Sequence, residues 1–429
     1  MFIARSSNGR TAPSGGVYLG SSPSLAALTK TIFCSIITSI NFTVKMKIAF
    51  IHNDKKIGTG AHYINDLMAL KLKDSGVDIK NFYPKTPLTE TPISMSGLKS
   101  ILFFYSLLER RKEILKFNII QGTTYTPLPF LSYTVPVVSH FGSTTWGFLN
   151  ATPLAKNLEN GNRKIWYKLK EEGVIKELNI KTRRPLRDIA EIEKYVASRA
   201  TEVIATSENV RQELLSFGIK DDKITVIHNA IEDYWFNENN TPFSQEPGIV
   251  FLGRLGGDAF TLKLKGLDRL IHVYKKFPDA RKTTFCMTTN KTLTSWLRTE
   301  IPNHFLYVNT IKDRIPSFMA PLNGQILFIP SRYEGFSLSL IEGMSQGLIP
   351  VIYKVGVAPE IIRNGENGFL VSSQSEAIEK IGLLLSDKEL RKKLSIEAIK
   401  TSKQFSGNVI AEKLMKLYDK IVKNQDVVK

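Results

Sequence analysis

Ile326-Leu-Phe-Ile329 is a short, unbroken apolar run, the pattern of a strand buried on both faces. Pro330 and Ser331 end it, and Arg332-Tyr-Glu-Gly335 reads as a polar loop. Phe336 to Gln346 then reads as a helix, with Leu338, Ile341 and Ser345 on one stripe and Gly347 as its stop. Leu348 to Tyr353 is apolar again. Strand, loop, helix, strand is a βαβ unit, which requires a parallel sheet covered on both faces. The loop lies at the carboxyl end of a strand and the start of a helix. Open α/β sheets bind ligands there, and the free N–H groups of the helix favour phosphate.

Two carboxylates flank that turn, Glu334 in the loop and Glu342 in the helix. Side chains on a helix lean toward its N-terminus, so Glu342 leans toward the loop that carries Glu334. Taken alone, the pair reads as two solvated surface acids. The surrounding sequence weighs the other way. Ser331-Arg-Tyr-Glu-Gly-Phe-Ser-Leu-Ser-Leu-Ile-Glu-Gly-Met-Ser-Gln-Gly347, followed by Pro359-Glu-Ile-Ile-Arg-Asn-Gly-Glu-Asn-Gly-Phe-Leu-Val371, resembles the donor-site signature of the family 4 glycosyltransferases. The resemblance implies a GT-B fold: α/β, two Rossmann-like parallel-sheet domains facing a cleft, and a last helix crossing back to the first domain. It also implies a retaining enzyme that uses a nucleotide sugar.

The chain's 429 residues suffice for two domains. Its two cysteines, Cys34 and Cys286, exclude a disulfide framework and a cysteine-based zinc site, which suits a reducing cytosol. The formal charge of +18 implies an anionic partner or surface. No uncharged apolar run is long enough to span a membrane.

Residues 1–45 differ from the rest. Arg5 to Gly16 is small, polar and shapeless, and Leu25 to Phe42 is apolar but interrupted by Lys30. A signal peptide fits poorly, because the apolar part comes late. The stretch looks like the translation of a transfer-RNA gene upstream of a true start. It is expected to be a non-native or disordered leader with Met46 as the initiator; an amphipathic membrane anchor is the alternative.

From Met46 the chain opens as a Rossmann-like βαβ: a strand over Lys47–His52, a loop ending Gly58-Thr-Gly60, a helix over Ala61–Ser75 and a second strand over Val77–Phe82. No third glycine completes a dinucleotide fingerprint. The resemblance places Gly58 and Gly60 in a loop facing the cleft, near acceptor or donor phosphates. Ser100–Leu115 reads as a helix, Phe117–Gln121 as a third strand and Val135–His140 as a fourth, which delivers His140 to its carboxyl end. A lone strand-end histidine is commonly a structural hydrogen-bonder. The family pattern places one here, lining the donor-sugar pocket. Lys156 to Arg187 is strongly basic with Trp166 and Tyr167 interleaved, which suits a solvated helical face, an anionic membrane or a phosphate-bearing acceptor. No nucleic-acid-binding module is present, so no nucleic-acid partner is expected.

The expected first domain, the acceptor side, is 46–236. A polar linker with two prolines follows at 237–247, then a nucleotide-sugar domain at 248–407 and a returning helix at 408–429. Gly248–Arg254 is a strand, followed by Lys263, Lys265 and Gly266. By resemblance, Arg254 and Lys265 grip the donor diphosphate, with Lys263 as a rival because the connection is long. Fixed cations there stabilise the charge that grows on the leaving group.

The resemblance further assigns phosphate and sugar contacts to the amides of Gly335, Phe336 and Ser337, sugar hydroxyls to Glu334, and the ribose to Glu342. His140 approaches the sugar across the cleft, so Glu334 and His140 are the expected catalytic pair. No metal motif accompanies these cations and no cofactor is expected; the nucleotide diphosphate sugar is the co-substrate. The expected acceptor is a glycan or lipid-linked hydroxyl in cell-envelope polysaccharide synthesis. The expected location is the cytoplasm, with peripheral contact at the inner face of an anionic plasma membrane. The rival reading is a catalytically inactive basic scaffold of the same fold that binds membrane or polyanion.

Overall fold

The computed structural model describes residues 46–52, 60–84, 103–236 and 242–428. The expectations for the leader, for Gly58 and for residues 237–241 of the linker lie outside the described residues.

Two six-stranded parallel sheets form the protein. In chain order the first holds β1 (Lys47–Ile51), β2 (Asp78–Phe82), β3 (Ile119–Thr123), β4 (Val137–Phe141), β5 (Glu202–Ala205) and β6 (Ile224–Val226). The second holds β7 (Gly248–Arg254), β8 (Arg281–Met287), β9 (His304–Val308), β10 (Ile326–Ile329), β11 (Ile349–Tyr353) and β12 (Phe369–Val371). Their spatial orders are β2-β1-β3-β4-β5-β6 and β12-β11-β10-β7-β8-β9. The central strands β4, β7, β10 and β11 are mostly buried, and β10 and β11 are apolar throughout apart from Tyr353, as strands covered on both faces are. In the second sheet the winding direction reverses between β7 and β10. That is where an open α/β sheet leaves a crevice at its carboxyl edge.

The first helix, α1 (Gly60–Asp74), buries Ile64, Leu67, Met68 and Leu72, a spacing that marks one helical face. Gly76 ends its turn at φ +89°, a conformation that favours glycine. Phe103–Arg110 winds as a 3₁₀ helix and passes into one α-turn at Arg111–Ile114, where a single α-helix is expected from sequence. Three-residue winding aligns Leu107 with Arg110, and the Arg110 guanidinium lies 4.6 Å from the centre of the Phe82 ring.

The helices that build the site are α2 (Thr145–Ala151), α3 (Asn160–Glu171), α4 (Arg184–Arg199), α5 (Glu208–Ser216), α6 (Ala259–Leu264), α7 (Leu267–Lys276), α8 (Leu338–Ser345) and the last, α9 (Gly407–Val428). Helix α9 returns to the first sheet and packs on α1. Ile410, Leu414, Leu417, Tyr418 and Ile421 of α9 are buried there, and the Tyr418 hydroxyl donates to Gln121 Oε1 at 2.7 Å. Each of those aliphatic side chains contributes about 2 kcal/mol of burial.

A second crossing is not visible in the sequence. Leu158, Trp166, Leu169, Val174 and Ile175 precede the first sheet's last two strands, yet they join the core of the second sheet. Helix α3 packs on α7, and Lys168 pairs with Glu300 at 2.6 Å. Among the described residues no helix is long and apolar enough to cross a membrane.

Candidate active site

The β10–α8 loop is fixed from below. Arg332 turns inward and holds the buried Asp268 of α7 with two hydrogen bonds, at 2.8 and 2.6 Å, and donates to the Lys263 carbonyl at 2.8 Å. Charge-assisted forked pairs of this kind are among the stronger side-chain contacts. Gly266 has φ +69°, and a Cβ there would sit 2.0 Å from the Pro330 carbonyl oxygen. Only glycine lets the α6–α7 turn approach the end of β10 this closely.

That approach delivers Lys265. Its ammonium donates to Glu334 Oε1 at 2.7 Å, and the Ser331 hydroxyl donates to the same oxygen at 2.7 Å. Lys263 points elsewhere. It is buried and donates to the carbonyls of Pro153 and Leu178 at 3.2 and 2.7 Å and to Asn179 Oδ1 at 2.7 Å. Burial, then the nearby Arg332 charge, pulls its pKa down to about 8. Of the two rival lysines, Lys265 therefore meets the loop. Arg254 stands exposed at the end of β7 and makes no ion pair with the described residues.

Helix α8 starts two residues later than its sequence pattern suggests. Ser337 adopts φ +85°, ψ +75°, left-handed backbone that breaks the run from Phe336. Its hydroxyl oxygen is buried and has no hydrogen-bond partner among the described residues. The Phe336 carbonyl accepts from the Val357 amide at 3.0 Å, which pins the turn to the chain after β11.

Inside α8, Glu342 is buried and pairs with Lys312 at 3.1 Å. Lys312 is held more tightly by Glu232, at 2.6 and 2.9 Å to its two oxygens. Burial raises the Glu342 pKa, against the pull of Lys312. Burial opposes the Lys312 charge, but Glu342 and Glu232 outweigh it and raise that pKa.

The first-sheet side closes over this loop. The Tyr333 hydroxyl donates to Glu213 Oε2 of α5 at 2.8 Å and accepts from the Thr144 amide at 3.1 Å. Thr144 caps α2, accepting from the Gly147 amide. The Ser207 hydroxyl donates to the Gly335 carbonyl at 2.5 Å. Glu360 accepts from the Glu208 amide at 2.8 Å and lies 2.9 Å from His228. A Cβ on Gly335 would come within 1.8 Å of the Gly142 carbonyl oxygen, so the two sides touch backbone to backbone.

His140 is the next-to-last residue of β4 and is half-buried, and desolvation depresses its pKa to about 4, leaving a neutral imidazole at physiological pH. It borders a cavity of about 10 Å³, shared with Gln121, His228 and Asn229 and lined on one side by Ile410 and Leu414 of α9; that is space for roughly one water. The structure gathers Lys265, Glu334, Gly335, Phe336 and Ser337 at one turn, with Glu342 in the helix behind. His140 makes no hydrogen bond to that turn among the described residues. Gly60 begins α1. Sequence reasoning missed Glu213, Glu232 and Lys312 and the cross-sheet contacts of Thr144 and Ser207; each is an ordinary polar residue whose partner lies far along the chain. No cluster of metal-ligating side chains occurs among the described residues.

Residues 235–401 match the family described as glycosyl transferases group 1, and residues 74–233 match Glycosyltransferase Family 4. This chain belongs to the group 1, family 4 glycosyltransferases. An uncharacterized glycosyltransferase of Methanocaldococcus jannaschii is 26% identical over 53% of this chain and 62% of its own length. The N,N'-diacetylbacillosaminyl-diphospho-undecaprenol alpha-1,3-N-acetylgalactosaminyltransferase of Campylobacter jejuni is 35% identical over 24% of this chain and 28% of its own. The glycosyltransferase thus aligns with less than two thirds of either relative. Among solved structures, sucrose-phosphate synthase of Thermosynechococcus elongatus superposes with a TM-score of 0.68 at 15% identity, over 89% of this chain and all of that one. Anabaena HepE in complex with UDP-glucose superposes with a TM-score of 0.61 at 16% identity, over 87% of this chain and all of that one. The fold is GT-B.

Proposed function

We propose that this glycosyltransferase moves a sugar from a nucleotide diphosphate sugar to an acceptor hydroxyl, with retention at the anomeric carbon. The observation that carries the reading is the turn at the switch point of the second sheet. There Lys265, fixed by Gly266, meets Glu334 beside the orphaned hydroxyl of Ser337. Lys265 and Arg254 bind the diphosphate, and the amides of Gly335, Phe336 and Ser337 hold phosphate and sugar oxygens at the start of α8. Glu342 takes the ribose, and neutral His140 meets the sugar from the first sheet.

As the bond from the anomeric carbon to the phosphate oxygen breaks, its electron pair passes to the diphosphate, where the two cations stabilise it. The acceptor oxygen bonds to the same face of the sugar, and its proton passes to the leaving phosphate oxygen. The ammonium beside Glu334 supports a sugar-contacting role for that carboxylate over covalent attack, because it quenches nucleophilicity. The residues that carry this chemistry need no metal.

The name of the Campylobacter relative, with its diphospho-undecaprenol group, supports a lipid-linked acceptor; a glycan acceptor in envelope polysaccharide synthesis extends that reading. The exposed cations Lys164, Lys170, Lys176, Lys181, Arg184 and Arg187, beside exposed Tyr167, support peripheral docking on an anionic membrane from the cytoplasmic side.

Thermal stabilisation by UDP, GDP and ADP tests the reading, since a ligand of the folded state raises the melting temperature by mass action. One diphosphate is expected to stabilise the protein, and Arg254→Ala to abolish the effect. Failure of all three would remove the donor site. Salt-sensitive lipid binding with unchanged function in Glu334→Ala would instead favour the inactive scaffold.

A further inference from the structure

Glu342 is not an isolated carboxylate. One of its oxygens meets Lys312 at 3.1 Å, while its second oxygen makes no hydrogen bond with the described residues. Lys312 is in turn gripped by both oxygens of Glu232. All three side chains are largely buried, with exposures of 15% for Lys312, 14% for Glu232 and 8% for Glu342. Glu232 belongs to the segment that leaves the first sheet, and that segment is itself fastened. The Ile231 amide donates to the Phe405 carbonyl at 3.0 Å, and the Trp235 amide donates to the Glu232 carbonyl at 3.0 Å. Gln346, at the end of α8, donates to the Trp235 carbonyl at 2.7 Å. The carboxylate behind the donor turn is therefore tied at one oxygen to a rigid support outside its own helix.

A lone buried carboxylate would take up a proton or rotate toward solvent. Lys312 opposes both, and Glu232 keeps Lys312 from collapsing entirely onto Glu342. Since the shorter contacts go to Glu232, Glu342 retains acceptor capacity. A carboxylate oxygen fixed in this way can accept from two vicinal hydroxyls of one ligand.

We propose that Glu232 and Lys312 are positioning residues for the nucleotide's ribose: they hold Glu342 oriented so that its remaining oxygen accepts hydrogen bonds from the 2′ and 3′ hydroxyls. The inference rests on the proposed nucleotide-sugar reading and deepens it. It makes discrimination for a ribose diol a property of three residues, two of them outside the donor turn.

The test measures dissociation constants of the full chain by calorimetry for UDP, GDP and ADP and for their 2′,3′-dideoxy counterparts. Wild type is expected to bind one ribonucleotide about tenfold or more tightly over its dideoxy counterpart. Lys312→Met is expected to bring that ratio close to one while leaving dideoxy affinity unchanged, which also reports intact folding. Lys312→Arg restores the ratio, and Glu232→Gln lowers it. If Lys312→Met does not fold, the Glu232→Gln and Lys312→Arg ratios decide. An unchanged ratio in Glu232→Gln and Lys312→Met, or a parallel loss for both nucleotides, would overturn the inference and leave the triad a structural ion network. A wild type that binds a diphosphate without ribose discrimination overturns this inference alone. A wild type that binds none of the diphosphates overturns the donor reading as well.

Discussion

The Tyr333 hydroxyl, in the donor turn, donates a 2.8 Å hydrogen bond to Glu213 across the interface between the two sheets. Tyr333 is 6% exposed, and burial followed by the Glu213 charge raises its pKa well above the ordinary phenol value. The turn that is proposed to hold the donor is thus also the turn that joins the two halves. Tyr333→Phe removes the donor from Glu213 and the acceptor from the Thr144 amide. A loss of about 1–3 kcal/mol in urea-unfolding stability is expected. In a double-mutant cycle with Glu213→Ala the two effects are non-additive, because each variant removes the same contact. Additive effects would mean that the pair contributes nothing across the interface.

Gly335→Ala probes the same contact sterically. Its new Cβ, 1.8 Å from the Gly142 carbonyl oxygen, cannot be accommodated without parting the two backbones. The variant is expected to lose about 1–3 kcal/mol of stability and to scatter X-rays with a larger radius of gyration. An unchanged radius of gyration would show that the interface absorbs the methyl group locally.

The two neighbouring lysines are expected to separate cleanly. Lys265→Met removes a cation from the donor turn and weakens diphosphate binding by about tenfold or more, with a small effect on stability. Lys263→Met strands the Pro153 and Leu178 carbonyls and Asn179, so it lowers stability by about 1–3 kcal/mol and leaves diphosphate affinity near wild type. Calorimetric titration paired with urea unfolding distinguishes them. The reverse pattern would give the phosphate role to Lys263.

Much of this arrangement was legible in the sequence. The apolar run Ile326–Ile329 marks a strand buried on both faces, and Gly248–Arg254 reads as a strand ahead of Lys263 and Lys265. These features are local, written in consecutive residues. What stayed hidden depends on partners far along the chain. Glu213 reads as one more acid on a polar helix, and Lys312 as a surface cation, until the fold brings them to Tyr333 and Glu342. The burial of Trp166 against the second sheet was hidden for the same reason: an apolar stripe shows that a helix face is covered but not by what. The start of α8 was misplaced because residue 337 carries a side chain in left-handed backbone, which sequence patterns assign to glycine.

Glu193 gives a pH-dependent stability of definite sign. It is 3% exposed, and its two oxygens accept from the Thr145 amide at 2.7 Å and the Thr145 hydroxyl at 2.8 Å, at the start of α2. Burial raises its pKa to about 7 despite those bonds, with Glu213 adding a smaller push. In the unfolded chain the group ionises near the ordinary carboxylate value, so between that value and about 7 the folded state binds more protons. Its contribution is therefore fully present at low pH and is lost as pH rises through about 7. Over that window the loss amounts to up to about 3 kcal/mol. His140 works oppositely, because its depressed pKa means that stability falls as pH drops from the ordinary imidazole value through about 4. Comparing wild type with Glu193→Gln at each pH cancels that background. The stability gap should move in favour of the glutamine variant between about pH 5 and pH 8. A gap that stays constant over this range would mean that Glu193 is already ionised at pH 5.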